Sequence, residues 1–171
     1  MKITRATDTA DLKQILRLQH DNLRPQLTTS EVRQEGFVTV EHDLPLLTLM
    51  NHPHPHIIAK DGDKVVGYAL VMTRDHGQSI PVLVPMFEKI DGLLDDSYVV
   101  MGQICIDKAY RGQGLFRSMY AYYEQELRPH FTHIVTEIDK NNQRSMQAHL
   151  ACGFTVLHEY VTDQEWVIVM K

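Results

Sequence analysis

Apolar residues recur along this chain in two rhythms, and their alternation blocks out most of the elements. Residues 2–6 (KITRA) predict a short strand. Thr7 or Asp8 is suited to cap a helix running to about Asn22, with Leu12, Ile15, Leu16 and Leu18 on its apolar positions. Residues 23–43 are mixed, with Ser30 placed to start a short helical turn. Leu44 to Met50 is apolar and helical, and NHPHPH ends it. IIAK and VVGYALVMT flank an Asp-Gly turn, the pattern of a hairpin. Residues 75–97 form a long connection containing IPVLVPMFEKI and the acidic DGLLDD, and connections of such length in a compact domain often carry function.

Tyr98 to Ile106 predicts a strand and Gly114 to Leu127 a helix, with Phe116, Met119, Tyr120, Tyr123 and Leu127 along one face. HIVTEI predicts a further strand. Asn142 to Cys152 predicts a short helix closed by Gly153, and FTVLHEY and EWVIVMK predict two final antiparallel strands. Hairpins come first, then a βαβ unit, then a last hairpin. This order predicts an α/β (α+β) fold with a mixed, mostly antiparallel central sheet and helices on both faces. The 171 residues fit one domain spanning 1–171.

Composition narrows the function. A formal net charge of −5 without a basic block argues against nucleic-acid partners. The start MKITRATDTADL has no apolar signal core, and no apolar run is long enough to span a bilayer, so no membrane partner is expected. Cys105 and Cys152 make no disulfide framework and suit a reducing, cytoplasmic setting. His52, His54 and His56 could suggest a metal module, but no Cys or acidic residue at ligand spacing completes a tetrahedral set, so no metal is expected. Asp91, Asp95 and Asp96 read either as a site for a cationic acceptor or as a solvated loop. Cys152, next to the capping Gly153, reads as core, and Cys105 as inert packing. EWVIVM offers an edge strand for pairing in a homodimer.

The segment IDKAYRGQGLF puts two glycines and an arginine between a strand and a helix. The first helical N–H groups lack intrahelical partners, and the helix dipole adds partial positive charge there. Gly112 and Gly114 let bare backbone approach an anion, with Arg111 and Arg117 to supply formal charge. A phosphate loop would need a Gly-Lys-Ser/Thr ending, which is absent. The dinucleotide fingerprint would need a small residue where Arg117 stands.

The segment resembles the coenzyme-A-binding motif of the GNAT superfamily of N-acetyltransferases, Arg/Gln-x-x-Gly-x-Gly/Ala, here Arg111-Gly112-Gln113-Gly114-Leu115-Phe116. EIDKNNQRSMQAHLACGF resembles the second family motif through Asn142, Ser145, Gly153 and Phe154, and the predicted element order suits the family across nearly the whole chain. Phe116 stands where the motif has a small residue, and His149 stands where many members carry an acid tyrosine. The resemblance implies acetyl-CoA as cosubstrate. It implies pantetheine pairing along Ile104, Cys105 and Ile106, a pyrophosphate cradle over residues 111–117, and a pantetheine contact from Asn142.

It also implies direct attack by a primary amine, borne by a small molecule or a protein N-terminus. An alkyl amine has a pKa near ~10, so a base must take its proton. Glu137 is the candidate base, five residues before Asn142 and on the face of Val135 and His133. His149 is the candidate acid for the leaving thiolate, with an ordinary pKa near ~6.5; Tyr122, Tyr123 or Tyr160 could take that role instead. The histidine run is then expected at the rim of the acceptor pocket. The competing reading is a non-catalytic acyl-CoA-binding sensor, which Phe116 and the missing tyrosine favour and Glu137 opposes.

Overall fold

The computed structural model describes residues 1–94 and 97–171, so Asp95 and Asp96 lie outside the described residues. KVVGYALVM (β3, Lys64–Met72) is buried at every position after Lys64, which leaves it nowhere to lie except the middle of a sheet covered on both faces. It pairs antiparallel with β2 (Ile57–Asp61) on one side and β4 (Tyr98–Ile106) on the other. The remaining strands are β1 (Lys2–Arg5), β5 (His133–Asp139), β6 (Thr155–Val161) and β7 (Glu165–Met170). Among the described residues they form a seven-stranded sheet of order β1-β2-β3-β4-β5-β7-β6. β4 and β5 pair in parallel and the other neighbours antiparallel, as the sequence predicts.

Helices cover both faces. On one side α1 (Thr9–His20), α3 (Leu44–Met50) and α4 (Val84–Asp91) pack Leu12, Ile15, Leu47, Met50, Met86 and Ile90 against Tyr68, Leu70 and Met72. On the other, α5 (Leu115–Leu127) lays Met119, Tyr123 and Leu127 on Ala59, Val71 and Val99. The Tyr123 hydroxyl is buried and donates to the Val100 carbonyl at 3.1 Å, which satisfies its one polar atom. α2 (Thr29–Glu35) is set by a capping box of Thr28 and Glu31, and α6 (Gln143–Ala151) by the Asn142 side chain accepting from Ser145 N–H. No helix among the described residues is long and apolar enough to cross a membrane.

β4 is irregular along both of its edges. Between the pairs Ala69–Ile104 and Val71–Met101, β3 has one residue where β4 has Gly102 and Gln103, a bulge that bends β4. On its other edge β4 pairs with β5 only from Tyr98–His133 to Val100–Val135. Thr136 Oγ1 then donates to the Met101 carbonyl at 2.8 Å, and beyond that bond the two strands part.

Three expectations are corrected. α4 arises within the supposed connection, because Pro85 falls in the first turn, where a missing N–H costs nothing. EWVIVM is not an edge: β7 lies between β5 and β6, and the outer strands are β1 and β6. The histidine run is not at the rim of a pocket. His56 is fully buried; its Nδ1 accepts from Val71 N–H at 3.0 Å, so Nε2 carries the proton toward the Leu47 carbonyl at 3.2 Å. His54 packs on the rings of His130 and Phe131, and His52 is exposed.

His56 therefore acts as a structural clamp, held neutral by burial that pushes its pKa down to about 3. Replacing it with alanine strands Val71 N–H and the Leu47 carbonyl and opens a cavity. His56→Ala is expected to lower unfolding free energy by about 3 kcal/mol in urea titrations. A loss within experimental error would show that neither bond matters.

Candidate active site

The turn after β4 leaves its backbone bare. Gly112 and Gly114 hold φ of +74° and +76°, a region closed to ordinary side chains, and no protein atom lies within 4 Å of where a Cβ would stand. Gly114 caps α5 without any side-chain help. Among the described residues no acceptor meets the amides of Gly112, Gln113, Gly114, Leu115, Phe116 or Arg117. A row of open donors at a helix start is an anion cradle. Gln113 is exposed and folds its amide back toward the Ala109 carbonyl.

Arg111 is not turned toward that row. Its Nε donates to the Ile106 carbonyl at 2.9 Å, and its two terminal nitrogens bond Glu35 and Asn22 Oδ1, each at 2.7 Å. Lys108 is likewise paired with Glu31, whose pKa falls to about 2 mainly through that bond. Both cations anchor α2 to the loop. The exposed cations on the cleft are Arg117 and Arg144. Arg144, two residues after the motif asparagine, was missed in the sequence because it belongs to no recognised spacing.

The cradle opens into a cleft of about 420 Å³ between β4, α5 and α6. Asp107 N–H donates to Val66 O at 2.9 Å. Antiparallel alternation then points the Cys105 backbone toward β3 and those of Ile104 and Ile106 toward the open side. The Cys105 thiol is buried, which pushes its pKa up to about 12, as befits inert packing. Cys152, expected in the core, is half-buried and lines the cleft. Phe116 wedges edge-on against Tyr120 and His149, with ring centroids 5.2 and 5.1 Å away, filling the α5–α6 junction.

Where β4 and β5 part, a smaller chamber of about 80 Å³ meets the cleft; Phe37, Val38, Ile104, Asn142 and Ser145 line both. The strap over residues 37–43 closes it. Gln103, at the bulge, donates to the Val40 carbonyl at 2.9 Å and accepts from Tyr68 and Gln19; Gln19 also holds His42. Asn142 donates to the Phe37 carbonyl at 2.8 Å while capping α6, so both ends of its amide are used.

Glu137 lines this chamber and accepts a hydrogen bond from the Tyr160 hydroxyl, two strands away on β6. Burial raises its pKa from 4.5 to about 7, and the Tyr160 bond opposes that rise. His149 also lines the chamber, 1% exposed. Its Nδ1 donates to the Ser145 carbonyl at 2.7 Å and its Nε2 accepts from the Tyr120 hydroxyl at 2.7 Å. Burial lowers its pKa to about 4, well below the ordinary value expected from sequence. Of the other acid candidates, the Tyr123 hydroxyl is bound to Val100, and Tyr160 reaches the chamber through Glu137. Asp91 binds Arg74 and the Tyr98 hydroxyl and lines neither cavity. Trp166, Val82, Leu83 and Met86, absent from the sequence-based site, complete the wall.

Residues 12–154 match the family model described as Acetyltransferase (GNAT) family. No curated protein matches in sequence. Among solved structures, the ribosomal-protein-S18-alanine N-acetyltransferase of Escherichia coli superposes with TM-score 0.66 at 12% identity, covering 99% of this chain and 91% of that one. The ribosomal-protein-alanine N-acetyltransferase of Brucella melitensis gives 0.67 at 18%, covering 100% and 99%. The yncA structure from Salmonella typhimurium, solved with its cofactor acetyl-CoA, gives 0.63 at 19%, covering 100% and 92%. At such identities the likeness is one of fold.

The raised pKa of Glu137 has a consequence for stability. A carboxyl whose folded value exceeds its unfolded value costs stability when ionised. The cost is absent below about pH 4.5, grows as pH rises to about 7, and is constant above. Glu137→Gln keeps an oxygen for Tyr160 and removes the charge, so it is expected to stabilise the protein by up to ~3 kcal/mol at pH 8 and by nothing at pH 4. Thermal or urea unfolding at the two pH values checks this; equal effects at both would mean the carboxyl is not desolvated.

Proposed function

This chain belongs to the acetyltransferase (GNAT) family, and from that premise we propose that it transfers an acetyl group from acetyl-CoA to a primary amine by direct attack within a ternary complex, as a single domain spanning residues 1–171. The observation that carries the amine reading is Glu137: a carboxylate with pKa about 7 in the wall of a chamber that opens onto the cleft at Ile104. A base poised there takes a proton near neutral pH.

The open amides from Gly112 to Arg117 fit a diphosphate, with Arg117 and Arg144 as cations. Arg111 holds the loop's shape through Ile106, Asn22 and Glu35. The Ile104 carbonyl and the Ile106 N–H, facing the open side, suit an amide-bearing arm in the manner of an added strand, the Ile106 carbonyl being held by Arg111. The Ile104 N–H is the donor best placed for a carbonyl at the junction of the two cavities, an oxyanion role. Acetyl-CoA supplies an activated thioester: the amine nitrogen bonds the acetyl carbon, the C–S bond breaks, its electron pair leaves on sulfur, and the amine proton passes to Glu137. His149 keeps its one ring proton on the Ser145 carbonyl and accepts from the Tyr120 hydroxyl at its other nitrogen, so its neutral ring has no free proton for the thiolate and serves to join α5 to α6. A thiol leaving group of pKa about 8.5 demands little acid help.

The pH–rate profile should rise with unit slope to about pH 7 and then level, without the falling limb near pH 6.5 that an ordinary imidazolium acid would impose. Glu137→Gln should remove the rising limb and lower kcat by about 10²–10⁴. An unaltered profile would remove Glu137 from the mechanism.

Calorimetric titration with acetyl-CoA tests the cradle. Gly114→Glu should abolish binding, and Arg144→Ala should weaken it about tenfold and flatten its salt dependence. Wild-type-like binding by Gly114→Glu would dismiss the loop. Binding without turnover of any amine would make the protein a sensor.

A further inference from the structure

The lining of the chamber selects the acceptor, an inference that rests on the transfer reading above. Among the described residues, neither lysine nor arginine lines it. Its titratable groups are Glu137, Asp139 and the neutral His149. Asp139 is buried, accepts from Asn141 N–H at 2.8 Å, and faces Arg24 outside the chamber at 3.3 Å, so its charge is already balanced. The rest of the wall carries no formal charge: Met72, Met86 and Trp166 are buried, Val82 is 53% exposed at the opening, and the polar side chains of Gln103 and Thr136 are engaged within the protein.

An acidic group carried beside the amine would be desolvated near Glu137 with no cation to meet it. A second ammonium group would find Asp139 already paired. We propose that the acceptor is a primary amine borne by an uncharged, apolar group, and that amino acids, amines bearing phosphate and polyamines are rejected. The shared chemistry has two sources, a free alkyl- or arylalkylamine and a peptide N-terminus with an apolar first residue.

The test compares phenethylamine with phenylalanine, which differ by one carboxylate, together with spermidine and a short peptide beginning with phenylalanine. Two readouts run in parallel: kcat/KM with acetyl-CoA, and the emission of Trp166, the sole tryptophan of the chain and part of the chamber wall. Phenethylamine or the peptide is expected to exceed phenylalanine and spermidine by at least ~100-fold in kcat/KM, and to shift Trp166 emission at lower concentration. Whichever of the two leads identifies the source.

Phenylalanine or spermidine equalling the leader would overturn the proposal, as would apolar amines that leave Trp166 emission unmoved. If apolar amines selectively shift the emission and none is acetylated, the selectivity stands and the transfer reading falls. Val82→Arg, at an exposed position, places a cation at the opening. It should narrow the gap between phenethylamine and phenylalanine about tenfold, in turnover or in binding. A gap left unchanged by the cation would refute the charge argument.

Discussion

β4 and β5 share a ladder over Tyr98–Val100 and His133–Val135 and then separate at the Thr136–Met101 bond. Backbone groups past that point have no neighbouring strand, and unpaired backbone inside a protein must find another partner. The strap at residues 37–43 lies over that stretch and is held there by side chains, Gln103 donating to the Val40 carbonyl and Asn142 to the Phe37 carbonyl. What the strap leaves open becomes the cleft and the chamber. The bulge at Gly102 and Gln103 belongs to the same device: it turns β4 away from β5 and swings Gln103 into a buried network with Gln19 and Tyr68.

Charge is arranged around this opening in two opposite ways. The anion cradle depends chiefly on oriented amides, which need no desolvation of a formal charge. Lys108 and Arg111, the cations nearest the turn in sequence, are engaged by Glu31 and Glu35, one helical turn apart on α2. That pairing fixes a seven-residue helix that buries no residue of its own and would be marginal alone. In the chamber the logic is reversed: Glu137 is left with a hydroxyl partner and no cation, and its pKa rises accordingly.

Much of this was legible in the sequence where one physical signal dominated. The strand Tyr98–Ile106 and the helix Leu44–Met50 appear with the predicted bounds, because their apolar runs end at strong turn or breaker residues. The glycines at 112 and 114 take the positive φ that their spacing suggested. The strap at 37–43 was not legible, since its order comes from side chains as distant as Gln103 and Asn142. The inward turn of Arg111 was invisible for the same reason: Glu35 and Asn22 lie 76 and 89 positions away. Pro85 hid α4, since a proline reads as a breaker unless the helix start is known. Residue type suggested Glu137 and His149, but their shifted pKa values depend on burial, which only the packed chain defines.

Asn142 caps α6 with one end of its amide and holds the strap at Phe37 with the other, and it stands in the wall common to both cavities. Removing that side chain would release the start of α6 and the strap at once, so the outline of the cleft and the outline of the chamber hang on a single amide.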